Sequence, residues 1–458
     1  MNSTNKKTNY LNRRQFLGYS ALGLAGLTIL PSWAMVNGVR MAPSDRVVMG
    51  FIGLGQQSFV DFRSYQTVPG VQVAAGSDVD SIKCQRFKNR IGAWQTEQNV
   101  PQKCDTYEFY QEMLERQDID AVHVTTPDHW HALALIHSCQ AKKDVYVQKP
   151  LCYTITESIA MVKAARDNNC VVQVGSQQRS GKEFQLAFDI VRSRAIGNIE
   201  TIWVRVGAHP TPYDLPEEPI PANLNFNQWL GPLNDPKVHH NSGICQPISL
   251  NPETRESGWG RWRYYRETGN GYTADWGAHH FDIANAAIGM DGLGPVEFIP
   301  IGYRGTEYLT MKYQNGVVMT EQSYGRPNPP VGPDGTVREG NGISFNGSKG
   351  WVKVTRNYIE CSDPSLINIE LTGGGPENAA HAQNFIDAVR SRKKPIAPIE
   401  VGASSLIICV LANIANELQR PVKWDPATLT FAGGDKEAEN HRLYRYEYRK
   451  PYASLCTI

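Results

Sequence analysis

Three side chains in this sequence have the types and spacing to move a proton off an alcohol. Lys149 stands in Val147-Gln148-Lys149-Pro150, just past an apolar stretch. Asp275 and His279 stand in Asp275-Trp276-Gly277-Ala278-His279-His280-Phe281-Asp282, after the turn signal Gly269-Asn270-Gly271. Histidine is the natural base for a hydroxyl proton near neutral pH. With Asp275 in a first helical turn, His279 falls on the same face at i+4, where Asp275 either orients it or holds a substrate hydroxyl. His280 faces another way, as a structural residue or a substrate contact. Each motif alone also has a plain reading, an exposed loop lysine and a structural aspartate and histidine on one helix.

An alcohol that loses its proton in an oxidation also needs a two-electron acceptor. Gly50-Phe51-Ile52-Gly53-Leu54-Gly55-Gln56-Gln57-Ser58 is an apolar strand running into a glycine loop. Gly53 permits the tight turn, Gly55 lets backbone approach a pyrophosphate, and Ser58 stands where a third glycine is common. The phosphates then sit on a helix N-terminus. Asp78, 25 residues after Gly53, ends the next strand, where a carboxylate binds ribose hydroxyls and repels a 2′-phosphate. The pattern therefore points to NAD. A lysine beside a cationic nicotinamide has its ammonium form disfavoured by like charge and can relay a proton.

A further motif, Thr125-Thr126-Pro127-Asp128-His129-Trp130-His131, runs from a strand end into a helix, where open parallel sheets place binding sites. Asp128 could simply cap that helix. His129 and His131, two residues apart, are poorly placed to share a metal, so both are read as pocket lining or structure and no metal is expected.

These residues need elements to hold them. Residues 46–172 alternate short apolar strands (47–52, 71–75, 121–125, 144–148) with helical segments (107–116, 131–141, 155–168), which predicts a doubly wound parallel Rossmann sheet. Residues 173–430 carry longer strands and Pro-rich loops, predicting an α/β domain with an open, mostly antiparallel sheet and two late helices near 379–391 and 401–419. Residues 211–258 read as a long insertion of the kind that serves as a lid, an edge or an interface. Residues 431–458 read as a charged, aromatic tail.

Residues 1–34 have a basic start, the pair Arg13-Arg14 followed by Gln15-Phe16-Leu17, an apolar run from Ala21 to Leu30, and Ser32-Trp33-Ala34. They predict a twin-arginine signal peptide cut near Ala34, use of the twin-arginine export machinery, and a periplasmic protein. No other apolar run reads as long enough to be a transmembrane helix. An exported nicotinamide enzyme must carry its dinucleotide with it and regenerate it in place. The 458 residues are enough for two domains. A net charge of +1, well mixed, gives no support to nucleic-acid binding. Nine cysteines without a C-x-x-C pair make neither a zinc pattern nor a disulfide framework.

Taken together, the motifs resemble the Gfo/Idh/MocA oxidoreductase family over nearly the whole mature chain. The likeness extends to Gly175-Ser176-Gln177-Gln178-Arg179-Ser180, to residues 384–392 and to Val422-Lys423-Trp424-Asp425-Pro426. It implies a Rossmann domain, a C-terminal α/β domain whose open sheet often makes a dimer face, and bound NAD. The family's catalytic lysine, aspartate and histidine fall on Lys149, Asp275 and His279. The cofactor side takes Gly53, Gly55, Gln56, Gln57, Asp78, Thr126, Pro127, His131 and Gln148. The substrate side takes Gln177, Arg179, Arg263 and His280. The family text is Glu-Lys-Pro and this chain has Gln148-Lys149-Pro150, which removes a negative neighbour of Lys149 and is expected to ease loss of its proton or loosen cofactor contacts. The resemblance implies a sugar or glycoside oxidised by hydride transfer, at C3 of a glucoside by similarity to exported glycoside 3-dehydrogenases. The alternative is a redox-neutral glycosidase that oxidises, eliminates, hydrates and reduces back, for which Tyr272 or His280 is a candidate second base.

Overall fold

The computed structural model describes residues 46–98, 103–246, 259–326, 340–371 and 376–452, with two short strands at Met35–Val36 and Val39–Arg40. The expected signal segment, residues 1–34, lies outside the described residues.

Six parallel strands form the first sheet: Val47–Ile52, Val71–Ser77, Asp105–Tyr107, Ala121–Val124, Asp144–Val147 and Val172–Val174. Numbered along the chain, their spatial order is 3-2-1-4-5-6. Their Val-rich, nearly continuous apolar runs are what a sheet covered on both faces requires. Helices cover it, and their ends are set by local chemistry. Asp80 caps Ser81–Glu97 by accepting from Ile82 N and Lys83 N. Thr154 and Glu157 form a capping box at the start of Ile155–Asp167. The helix Gln56–Tyr65 starts at Gly55 without any side-chain cap. Its first amide groups are therefore left for a ligand. Strand order reverses between Val47–Ile52 and Ala121–Val124, so the carboxyl-end crevice opens between Gly53–Gly55 and Thr125–Pro127.

The second sheet has nine strands in the order 358–361, 350–355, 342–347, 199–205, 318–321, 310–312, 297–299, 422–425 and 430–431. All neighbours are antiparallel except Ile199–Arg205 beside Val318–Glu321. The fold is therefore α/β, a parallel Rossmann sheet followed by a mixed, mostly antiparallel one. Helix Ile399–Leu418 has the length and hydropathy of a spanning segment, contrary to the expectation from sequence, yet 89% of its most apolar 18-residue stretch is buried. It packs on Gly277–Ala287 and on Ile155–Asp167, so a core shared by both halves accounts for its composition.

The described part of the insertion forms an interface, and the expected tail is packed. Residues 211–246 build their own apolar cluster, with Leu224, Phe226, Trp229 and Ile244 buried together. They dock on the Rossmann half through Ser81 N to Asn223 O (2.9 Å), Asn225 N to Val79 O (2.9 Å) and Trp130 Nε1 to Trp229 O (3.0 Å). Residues 431–452 are no free tail. Leu443, Tyr448 and Tyr452 are buried, Tyr448 donates to Glu157 Oε1 (2.5 Å), and the Tyr452 ring meets Trp130 edge to face at 5.5 Å.

Candidate active site

The crevice at the strand reversal is lined by Gly53, Gly55, Asp78, Thr125 and Thr126. The left-handed Gly53 (φ +86°) makes the turn, and a Cβ there would lie 2.7 Å from Thr126 N. At Gly55 a Cβ would meet nothing, so that side of the loop faces open space. Gln56 Oε1 and Thr126 Oγ1 are buried without a hydrogen-bond partner. Asp78 accepts from Leu54 N (2.7 Å) and Asp80 N (3.0 Å), which pins its carboxylate to the crevice wall, and burial raises its pKa. An uncapped helix start, an open glycine, orphaned acceptors and a fixed carboxylate are the features a dinucleotide needs, and these residues fit NAD. Residues 228, 229, 244 and 246 close the far wall, so the insertion contributes to the crevice.

A second cleft shares Gln57, Thr125, Thr126, Trp262 and Arg263 with the first. Lys149, Asp275, His279, Gln148 and Gln177 all line it. Lys149 Nζ donates to Asp275 Oδ1 (2.7 Å) and to Asp275 O (2.8 Å). Arg263 Nε lies 3.6 Å from the same carboxylate and its guanidinium sits over the Trp262 ring. Burial works to raise the Asp275 pKa, but Lys149 and Arg263 outweigh it and hold the carboxyl below its ordinary range. His279 is buried; burial first, then the Lys149 and Arg356 cations, lower its pKa well below that of a free imidazole. It is therefore neutral, the form that can take a proton.

Several expected roles change. Asp275 does not share a continuous helix with His279. It ends Gly271–Asp275, and a second helix runs from Gly277 to Ala287 across the junction at Trp276. Its carboxylate faces Lys149 and Arg263 and so cannot orient the imidazole; Arg356 does, placing Nη2 3.3 Å from His279 Nε2. Arg179 is not a substrate contact. It is buried and doubly hydrogen-bonded to Asp282, with Asp291 on its other edge. His280 is fully buried, stacks on Trp276 and lies away from the cleft lining, its pKa lowered to about 3 by burial. His131 reaches the cleft edge, but both ring nitrogens face carbonyls, Pro150 O at 2.9 Å and Thr126 O at 2.8 Å, so it braces the two turns and has no nitrogen left for a cofactor. His129 likewise docks the insertion, through Trp229 O at 3.0 Å.

Gln148 is the clearest departure. Its Nε2 donates to Asp61 Oδ2 (2.7 Å) and its Oε1 accepts from Lys149 N (3.1 Å). Asp61 also faces His123 Nε2 (2.9 Å) and accepts from Gln57 Nε2 (2.9 Å). A carboxylate is thus still present behind Lys149, supplied by the helix Gln56–Tyr65. A glutamate at 148 would meet Asp61 as a like charge.

Asp128 and Arg356 complete the cleft, and neither was expected there as a working group. Asp128 is the first residue of its helix rather than a cap, and burial pushes its pKa up to about 8. Arg356 sits in a strand-to-strand turn with no motif around it to draw notice.

The comparisons with known proteins agree with this geometry. The model of the Gfo/Idh/MocA oxidoreductase family, NAD-binding Rossmann fold, matches residues 47–176, and that of the family's C-terminal alpha/beta domain matches 200–454. A glycosyl hydrolase family 109 protein of Shewanella pealeana is 28% identical over 208 residues, 41% of this chain and 44% of that one. The chain thus spans less than half of that relative's length. Levoglucosan dehydrogenase, solved with NADH and levoglucosan, superposes with a TM-score of 0.56 at 17% identity over 82% of this chain and 99% of its own. Aldose-aldose oxidoreductase from Caulobacter crescentus, solved with glycerol, gives 0.54 at 15% over 82% and 99%.

Proposed function

The chain belongs to the Gfo/Idh/MocA oxidoreductase family and binds NAD, and from that premise we propose that it oxidises a sugar hydroxyl, at C3 of a glucoside, to a keto-sugar. The observation that carries this reading is Lys149 paired to Asp275 at 2.7 Å in the cleft that holds neutral His279 and opens into the dinucleotide crevice.

When bound, the dinucleotide supplies the acceptor for the hydride of the carbinol carbon. The chain supplies the rest. Lys149 is held at two points by Asp275 and offers its remaining donor to the hydroxyl oxygen, where it polarises the O–H bond. His279, kept neutral by its surroundings, takes the hydroxyl proton. Arg263, seated on Trp262, steadies the Asp275 carboxylate, which also accepts a neighbouring sugar hydroxyl. The stacked and hydrogen-bonded pair Tyr264 and Tyr272 gives the ring an aromatic wall.

We further propose export through the twin-arginine route with NAD tightly held, periplasmic action, and a homo-oligomer formed through the open sheet. A second reading is favoured by the family 109 relative: a redox-neutral glycosidase that reduces its keto intermediate with the same NAD.

The experiment is to purify the protein without added cofactor and titrate glucosides while recording absorbance near the reduced-nicotinamide band (about 340 nm). Rising absorbance with a keto-glucoside product is expected. Free sugar with no net reduction selects the glycosidase, and no change in either removes both.

A further inference from the structure

The charge balance of the substrate cleft is one-sided. Lys149, Arg263 and Arg356 all line it. Asp275 is the ionised carboxylate that answers them, and it is already shared by Lys149 at 2.7 Å and Arg263 at 3.6 Å. Asp128 lines the cleft too, but burial pushes its pKa up to about 8, which favours its neutral form.

Arg356 is left over. Among the described residues its direct contacts are neutral. Its Nη2 lies 3.3 Å from His279 Nε2, and its guanidinium lies over the Trp276 ring at 5.2 Å. With the Gln178 amide oxygen turned toward it, its Nε donates there at 3.3 Å while the amide nitrogen meets His279 O. Glu377, Asp275 and Glu183 act on it only at longer range, and Glu183 is committed to Asn357 N at 2.9 Å. Arg356 is an exposed residue and lines the cleft. A guanidinium stacked on an aromatic ring and held at one edge keeps its plane fixed, which suits two parallel hydrogen bonds to a carboxylate. A neutral sugar would cover this cation without pairing it, at a desolvation cost.

We propose that the sugar taken by this cleft carries a carboxylate, as in a hexuronic acid or its glycosides, and that Arg356 binds it. This rests on the reading of the cleft as a sugar-oxidising site. The bound carboxylate supplies the second negative charge that the three cations lack, and it fixes the ring beside His279. Arg356 is then a specificity residue whose absence should be felt in the ratio of glucuronide to glucoside kcat/KM, beside a kcat loss common to both sugars because it also orients His279.

The test compares methyl β-D-glucoside, methyl β-D-glucuronide and glucose 6-phosphate, by NADH formation and by calorimetric titration of the NAD-loaded protein. The glucuronide should exceed the glucoside in kcat/KM by about 100-fold, mostly through KM. Arg356→Met should remove most of that ratio, and Arg356→Lys should restore part of it. Equal kcat/KM for glucoside and glucuronide, or a preference that survives Arg356→Met, overturns the inference and leaves the oxidoreductase reading standing. A preference for the phosphate over the glucuronide overturns the carboxylate assignment. Tight glucuronide binding lost in Arg356→Met, without NADH from any sugar, supports the anion site while sinking the sugar-oxidising reading.

Discussion

The two clefts hold their key carboxylates in opposite ways. Asp78, in the dinucleotide crevice, is clasped by backbone amides of its own neighbourhood, Leu54 N and Asp80 N, and burial raises its pKa. Asp275, in the substrate cleft, is clasped by side-chain cations from distant segments, Lys149 and Arg263, which lower its pKa against burial. Backbone donors position a charge rigidly but leave it to meet a ligand's hydroxyls. Side-chain cations neutralise a charge and make the same group part of a reactive cluster. In the proposed function the first cleft holds and the second moves a proton.

The sharpest way to break this division is Lys149→Met. Turnover should fall by about 10³-fold or more while NAD affinity changes only a few-fold. Single-turnover kinetics beside a cofactor titration check it, and equal loss in both would mean that the clefts do not divide holding from chemistry.

Gly53→Ala and Gly55→Ala separate the two functions of the glycine loop. At Gly53 a left-handed φ and contact with Thr126 backbone should destabilise the fold by about 3 kcal/mol. At Gly55 the added methyl points into open space, so stability should hold while NAD binding weakens. Urea unfolding and cofactor titration together decide this, and an unchanged NAD affinity in Gly55→Ala would remove that face of the loop from the crevice.

Gln148→Glu tests whether Asp61 supplies the carboxylate behind Lys149. The two acids would stand about as close as the present 2.7 Å contact, and a loss of about 2 kcal/mol in stability is expected. Adding Asp61→Asn should recover most of it. Failure of the double variant to recover would show that the two positions are not coupled.

The last test is on pH. His129, His131 and His381 are buried with pKa values lowered to about 4, by burial in each case. Their folded pKa lies below the unfolded value near 6.5, so the unfolded chain binds more protons as pH falls. Their stabilising contribution is whole above pH 6.5 and declines toward pH 4, by up to about 1.4 kcal/mol per pH unit for each. Denaturation midpoints from pH 7.5 to 4.5 check this, and a flat profile would mean that these imidazoles are protonated in the fold.

Legibility followed chain distance. Gly53, Gly55 and Asp78 could be read because each does a local backbone task that its own strand or turn announces. Lys149, Asp275 and His279 could be named from their motifs, but not who faces whom. Arg179 looked like a substrate contact because nothing near it in sequence shows Asp282 and Asp291, and Gln148 looked like a loss because Asp61 lies 87 residues away. The strands at 350–355 and 358–361 were not anticipated, and with them went Arg356.

By itself the sequence determined the doubly wound sheet, the NAD loop and the family, since strand period, glycine position and helix capping are short-range matters of backbone conformation. Only the tertiary structure decided that residues 211–246 wall the crevice, that residues 431–452 are part of the core, and which cleft cation meets only neutral groups among the described residues. Charge balance depends on distances through space, and in this protein those distances join segments that the chain keeps far apart.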